Sequence, residues 1–394
     1  MASIATATHQ AATPSPEERA LTALSEAREH TLTLVAGLGE DDLTKAHSPI
    51  MSPLAWDLGH IAAYEDLWLA HRHAGLELLR PGLAGLYDAF ETPRAVRGDI
   101  EALSPPAAHA YMRQVRERVV AAIAEQGIGD GSVCEMVVRH ELQHSETMRQ
   151  TMAIAGLLPA GEPPAIDVGH PPSPEDESGC RWLEVPAGSF AMGSIETGFA
   201  YDNERPRHTV ALEAFQIARR PVSAASWMRF SESGGYERRE WWSEEGWAWK
   251  EEHDITHHPA VAAGDPNATP VCHVSWFEAD AFARAHDARL PSEAEWERAA
   301  TWDQRTLAEA GRGHGLTQVG RVWEWTRSPF GGYPGFVAYP YKEYSEVFFG
   351  DTYRVLRGGS WATSPRVKTA TFRNWDLPQR RQIFAGVRLA RDAS

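Results

Sequence analysis

The chain has 394 residues, 43% of them hydrophobic and 23% charged, which describes a folded globular protein of about two domains. Its 38 basic and 54 acidic residues leave a net charge of −16, which excludes a general affinity for nucleic acid or an anionic membrane, since both need a basic surface. Three widely spaced cysteines, Cys134, Cys180 and Cys272, form neither a disulfide framework nor a CxxC zinc pair.

Residues 1–15, rich in Ala, Thr and Ser without a basic start or an apolar core, read as a disordered tail and not as a signal peptide. From Glu17 to Leu38, apolar residues at 21, 24, 34, 35 and 38 mark a helical stripe. A second helix is predicted from Pro53 to His73, with the proline in its first turn, a third from Ala108 to Gln126 and a fourth from Val133 to Ala155. Four such helices, with a long connection through 75–107, predict a four-helix bundle over 16–156. Residues 157–180 are rich in Pro, Gly and acid, the composition of a linker. Over 181–394 the pattern shifts to short alternating runs such as Thr209–Phe215, which predict strands, with helices only at Glu278–His286 and Glu293–Thr301. The fold class expected is α+β in two domains. No stretch approaches the ~20 apolar residues of a membrane span, so a cytoplasmic protein is expected.

The sharpest local motif is His140-Glu-Leu-Gln-His144. A spacing of four on a helix puts both imidazoles on one face, near enough to share a metal. They also continue the apolar stripe Val133, Val137, Met148, where imidazoles facing a bundle core are costly unless something binds them. The bland alternative is a hydrogen-bonded pair of buried histidines. A zinc protease with Glu141 as base would need a third ligand downstream, but Thr147 and Gln150 occupy the extended motif's Gly and His positions, and Glu162 sits in the linker. A better third ligand is His60, within Ser52-Pro-Leu-Ala-Trp-Asp-Leu-Gly-His-Ile61. Three neutral imidazoles leave open positions for small molecules and suit iron, copper, nickel or zinc.

These motifs resemble the non-haem iron sulfoxide synthases of ergothioneine biosynthesis. The N-terminal half is similar to their DinB-type bundle through SPLAWDLGHI (52–61), YDAFETPRAVR (87–97) and HELQHSETM (140–148). The C-terminal half is similar to a formylglycine-generating-enzyme domain of C-type-lectin-like fold, through VPAGSFAMGS (185–194), DNERPRHTV (202–210), the run from Val274 to Ala300, VWEWT (322–326), VLRGGSW (355–361) and GVRLAR (386–391). The resemblance implies Fe(II) on His60, His140 and His144, with O2 as co-substrate and hercynine (trimethylhistidine) as substrate. It implies a catalytic tyrosine pair at Tyr341 and Tyr344, the first as the acid. Gln143, Asn374 and Trp375 are implied to contact the hercynine side, and Asp376, Arg94 and Arg97 a γ-glutamylcysteine donor.

A quaternary ammonium donates no hydrogen bond, so aromatic faces and amide oxygens suit it. Two arginines three apart can clamp carboxylates, although without the resemblance they read as a solvated basic pair. The stretches 301–320 and 253–269 look shorter than in the family, which leans the donor toward a selenosugar, as in the related selenoneine synthases. A γ-glutamylcysteine or cysteine donor is the alternative. True formylglycine-generating activity is disfavoured because no cysteine follows Cys272. Thiol transferases use similar bundles but have no need of the aromatic second domain. A rival of another class is a non-catalytic ligand-binding protein with a structural metal.

Overall fold

In a computed structural model of the protein, residues 13–164, 181–195, 197–259, 265–301 and 315–393 are described. The expected tail (mostly), most of the expected linker and the centres of both shortened stretches lie outside them. The chain divides into two compact units, Met1–Met148 and Arg149–Ser394.

The first unit is helical. Helix α1 (Pro16–Val35) starts at Ser15, whose hydroxyl accepts the Glu18 N–H while the Glu18 carboxylate accepts the Ser15 N–H, a reciprocal cap that stops the helix fraying. A short α2 (Glu40–Thr44) precedes α3 (Leu54–Glu65), with α4 (Pro105–Gln126) and α5 (Ser132–Ala155) completing the set. Pro53 stands at the N-cap of α3, one position before the helix, and the helix does not run regularly to His73. From Asp66 to His73 it widens into a π-helical segment, an irregularity that the apolar spacing does not encode.

A buried ion network holds the bundle. Arg28 of α1 reaches Glu65 of α3 at 2.6 Å and Glu141 of α5 at 2.8 Å, and Arg116 of α4 reaches Glu65 at 2.6 Å. Four helices therefore meet on two carboxylates that are almost wholly shielded from water.

Among its described residues the second unit carries three small sheets. Strand β1 (Trp182–Val185) pairs with β4 (Phe215–Ala218), which also pairs with β9 (Ala390–Asp392). Strand β2 (Gly188–Met192) pairs with β3 (His208–Leu212). The third sheet has the order β7 (Asn374–Asp376), β6 (Gly350–Arg357), β5 (Trp323–Phe330), β8 (Ala385–Gly386). The run Thr209–Phe215 is thus not one strand. It breaks at Glu213-Ala214, and its two ends join different sheets, because alternation alone cannot reveal a change of partner.

Four α-helices are found among the described residues of this unit, not two. Besides α8 (Trp276–Ala285) and α9 (Glu293–Thr301), the chain forms α6 (Ala224–Glu232) and α7 (Glu244–Glu252). Ser223 and Ser243 cap the latter pair by accepting the N–H groups of Ser226 and Gly246. Helix α7, with Trp247 and Trp249 set among charged residues, shows almost no 3.6-residue period, whereas α6 has an apolar face but only nine residues in which to display it. Four of the motifs of this half supply the ends of two buried ion pairs. Glu324 of VWEWT holds Arg388 of GVRLAR at 2.6 Å, and Glu297 on α9 holds Arg357 of VLRGGSW at 2.6 Å.

Candidate functional site

His60 lies two turns into α3, while His140 and His144 lie one turn apart on α5, and their ring nitrogens converge within 4.8 Å of one another. The Nε2 atoms of His60 and His140 are 3.1 Å apart. Two nitrogens each about 2.1 Å from a shared metal, at a right angle, would stand about 3 Å apart.

The surroundings select the metal-binding form of the rings. The Nδ1–H of His60 donates to the Tyr87 carbonyl at 2.6 Å, leaving Nε2 with its lone pair. The Nδ1 of His144 faces Asp57 Oδ1 at 3.3 Å, which orients that ring in the same way. His140 is held differently, stacked on Tyr64 with centroids 3.6 Å apart and planes 6° from parallel. Burial, reinforced by the neighbouring imidazoles, pushes the pKa of His60 and His140 well below the usual range, so both rings are neutral. Imidazole donors against a buried wall, two of them with Nδ1 engaged, fit a first-row divalent metal.

The ring of Trp56 stacks on His60 at 4.9 Å, and the Arg97 guanidinium lies 3.6 Å over the centre of Trp56. Arg97 is 5% exposed and donates to the Thr92 carbonyl, the Ser52 hydroxyl and the Ala89 carbonyl, tying the loop after Asp88 to the start of α3. Arg94, three residues earlier on a single 3-10 turn, is half-exposed. The two members of the expected clamp therefore stand in unlike environments. Gln143 is half-buried on α5, one turn from His140. Glu141 is committed to Arg28 and Arg116, and Glu162 accepts two bonds from Arg149, so neither has the role the protease alternative requires.

In the second unit, Tyr341 and Tyr344 flank a 3-10 turn with ring centroids 6.2 Å apart, edge to face. Tyr344 also meets Trp375 edge to face at 5.9 Å and stacks on Tyr201 at 4.4 Å. Trp375 stacks in turn on Phe330 at 4.1 Å. Asn374 and Asp376 sit beside it on β7, paired with Leu356 and Arg354 of β6. The Asp376 carboxylate accepts the Leu377 N–H and the Gln382 amide, with Arg380 3.8 Å away. Both tyrosines and Trp375 thus belong to one aromatic neighbourhood within this unit, and Asn374 and Asp376 flank that tryptophan on its strand.

Sequence reasoning missed Asp57, Tyr64, Tyr87 and Tyr201. Asp57 and Tyr64 carried a usable signal, lying three residues before and four after His60 on the same helical face. Tyr87 and Tyr201 reach their partners through loops and left no local trace.

Residues 23–148 match the DinB superfamily, and residues 170–312 and 304–393 match the sulfatase-modifying factor enzyme 1-like domain. The protein is of the class that fuses a DinB-type helical domain to a domain of that second kind. The chain is 40% identical over 428 aligned positions to the hercynine oxygenase of Mycobacterium tuberculosis, covering 96% of this chain and 99% of that one. It is 38% identical to the hercynine oxygenase of Mycolicibacterium smegmatis, covering 94% and 97%. Ergothioneine biosynthesis protein 1 of Schizosaccharomyces pombe is 22% identical over 90% of this chain and 54% of its own length. This chain belongs to the hercynine oxygenase family.

Proposed function

We propose that the protein is an iron- and O2-dependent enzyme that forms a carbon–chalcogen bond at imidazole C2 of hercynine. The full-length similarity to hercynine oxygenases carries this reading, and the three convergent histidines agree with it. His60, His140 and His144 would hold the iron through Nε2. When bound, Fe(II) supplies electrons to oxygen and lowers the pKa of the chalcogen donor. With Nδ1 of His60 and His144 engaged by Tyr87 and Asp57, Nε2 of those rings is left for the metal.

Trp375 offers an aromatic face and Asn374 and Gln143 amide oxygens to the trimethylammonium group, which donates no hydrogen bond but is attracted by aromatic faces and carbonyl dipoles. Tyr341 holds a phenolic proton and delivers it as oxygen is reduced, with Tyr344 beside it. Asp376 and Arg94 are polar partners for the chalcogen donor.

The donor in this reading is a selenosugar, joined to give a selenoneine-type product. What favours it is the compactness of the stretches 301–320 and 253–269, together with the engagement of Arg97 within its own domain. The names of the relatives favour a second reading, in which γ-glutamylcysteine or cysteine gives a sulfoxide.

The test is oxygen consumption by iron-loaded enzyme given hercynine and, in competition, a selenosugar, γ-glutamylcysteine and cysteine. Oxygen uptake that requires both hercynine and one donor supports the reaction. Tyr341→Phe should retain iron and hercynine binding but lose most of the turnover. No oxygen uptake with any donor, in protein that binds iron stoichiometrically, would leave the non-catalytic rival standing.

A further inference from the structure

The motif DNERPRHTV has no role in the chemistry above, yet its first residues touch both segments on which that chemistry rests. Asp202, Asn203 and Glu204 form a single 3-10 turn and are 5%, 1% and 1% exposed. Asp202 accepts the Tyr339 N–H through Oδ2 at 3.2 Å and the Ser345 hydroxyl through Oδ1 at 2.6 Å. Tyr341 and Tyr344 lie between those two donors in the chain, so one carboxylate closes a loop around the pair. Tyr201, the preceding residue, stacks on the Tyr344 ring with planes 9° apart.

The other side of the same turn grips the strand β7 segment. Arg373 Nη1 donates to the Asn203 carbonyl at 2.7 Å. The Thr371 hydroxyl donates to Glu204 Oε2 at 2.6 Å, while Oε1 of that carboxylate accepts the Tyr201 N–H at 2.9 Å. Tyr201 also meets Phe372 edge to face at 5.7 Å. Four consecutive residues thus hold the loop of Tyr341 and Tyr344 with one hand and the run into Asn374, Trp375 and Asp376 with the other.

We infer that the Tyr201–Glu204 turn is the positioning element of the candidate site in the second unit: Asp202 sets the tyrosine pair, and Glu204, through Thr371, sets the Asn374–Asp376 strand. The inference rests on the proposed function for its kinetic consequences but not for its structural ones. Burial of a carboxylate is costly unless its oxygens are satisfied, and Asp202 is satisfied chiefly by the loop it closes. Removing it frees two donors at a surface loop that has little other regular structure. Removing the Thr371 hydroxyl loosens the opposite side and leaves the tyrosine loop closed.

The experiment uses the full-length, iron-loaded protein and its Asp202→Ala, Asp202→Asn, Ser345→Ala and Thr371→Val variants. Amide hydrogen exchange of residues 339–349 should speed up roughly tenfold in Asp202→Ala and less in Ser345→Ala, with β5 and β6 unchanged. Asp202→Asn, which keeps one acceptor oxygen, should recover part of the protection. In turnover, Asp202→Ala should lower kcat about tenfold with little change in hercynine KM, whereas Thr371→Val should raise hercynine KM several-fold and spare kcat.

Asp202→Ala added to Tyr341→Phe should cost nothing further, since it acts through that tyrosine. Unchanged exchange at 339–349 in both Asp202→Ala and Ser345→Ala overturns the inference, as does a fully additive double mutant. Should Tyr341→Phe turn over like the parent, the proton-donor reading fails, and the exchange data alone decide whether the turn positions this loop. If Asp202→Ala does not fold, Ser345→Ala and Asp202→Asn decide in its place.

Discussion

The ring of Tyr87 lies against the backbone of Gly59 so closely that a β-carbon on residue 59 would come within 2.2 Å of the ring carbon Cζ. No side chain, not even a methyl group, fits there without moving the ring. The same Tyr87 gives its carbonyl to His60, and its hydroxyl accepts the Leu103 N–H. A glycine in the middle of α3 costs helix stability of about 1 kcal/mol relative to alanine, which the close approach explains.

Gly59→Ala should therefore weaken metal binding without touching a ligand. Displacing Tyr87 lengthens the bond from His60 Nδ1 and frees that ring to turn. Iron affinity, measured by competition with a chelator, should fall by roughly tenfold or more, as when an oriented ligand loses its support. Parent-like affinity in a folded Gly59→Ala protein would show that Tyr87 does not fix His60.

Asp57 supports His144 in the same sense but through a side chain. Its Oδ1 faces the ring, and its buried Oδ2 has no hydrogen-bond partner. Asp57→Ala should lower iron affinity about 10- to 100-fold. Asp57→Asn, which retains a neutral oxygen acceptor, should fall between the two. Calorimetry or chelator competition on the apo-protein reads this without any turnover assay.

Acid should undo the bundle in a defined window. Burial raises the Glu65 pKa, but Arg28 and Arg116 together outweigh it and hold the group below its ordinary value of 4.5. A depressed carboxylate pKa stabilises the fold fully above the unfolded value, and that contribution is lost as pH falls through the folded one. Melting of the helical unit should thus be flat from pH 7 to about 5 and drop below about 4.5. Glu65→Gln should cost about 3–5 kcal/mol at pH 7, because it leaves two buried guanidinium groups to share the single carboxylate of Glu141, and should flatten the acid limb.

Arg94 and Arg97 should separate into two phenotypes. Arg97→Ala removes three internal hydrogen bonds and a stacked cation, so it should lower stability by about 2–4 kcal/mol whichever donor is used. Arg94→Ala should leave the melting temperature unchanged. With γ-glutamylcysteine it should raise donor KM by roughly tenfold, the worth of one charge-assisted bond, and with a selenosugar by much less. Equal effects on both donors would remove Arg94 from donor selection.

The bundle and its histidines were legible because amphipathic periodicity and a four-residue spacing are written locally in the chain. His60 was legible for the same reason, as an imidazole on an apolar stripe. What fixes these rings was less so: a backbone carbonyl at residue 87 has no side-chain signature, and a loop brings it there. In the second unit, α7 was missed because its nine residues mix tryptophan and charge without a period, and α6 because its nine residues show an apolar face over too few turns. The break between β3 and β4 escaped for a related reason, since two strands of opposite allegiance can share one alternating pattern. Asp202 was visible only as part of a motif and Tyr201 not at all, their purpose being set by residues more than a hundred positions away.

The two ways in which the ring Nδ1 atoms are secured have different fates under mutational drift. A carbonyl belongs to every amino acid, so no codon change at position 87 can delete the acceptor that His60 uses; only a shift of the main chain can. The acceptor for His144 is a side chain, and one nucleotide substitution in the Asp57 codon suffices to remove it. Among lineages carrying this site, the His60 corner should therefore tolerate varied residues at 87 as long as the loop keeps its path. The His144 corner should instead vary in metal affinity with the identity of residue 57, which gives selection a graded control over how firmly the metal is kept.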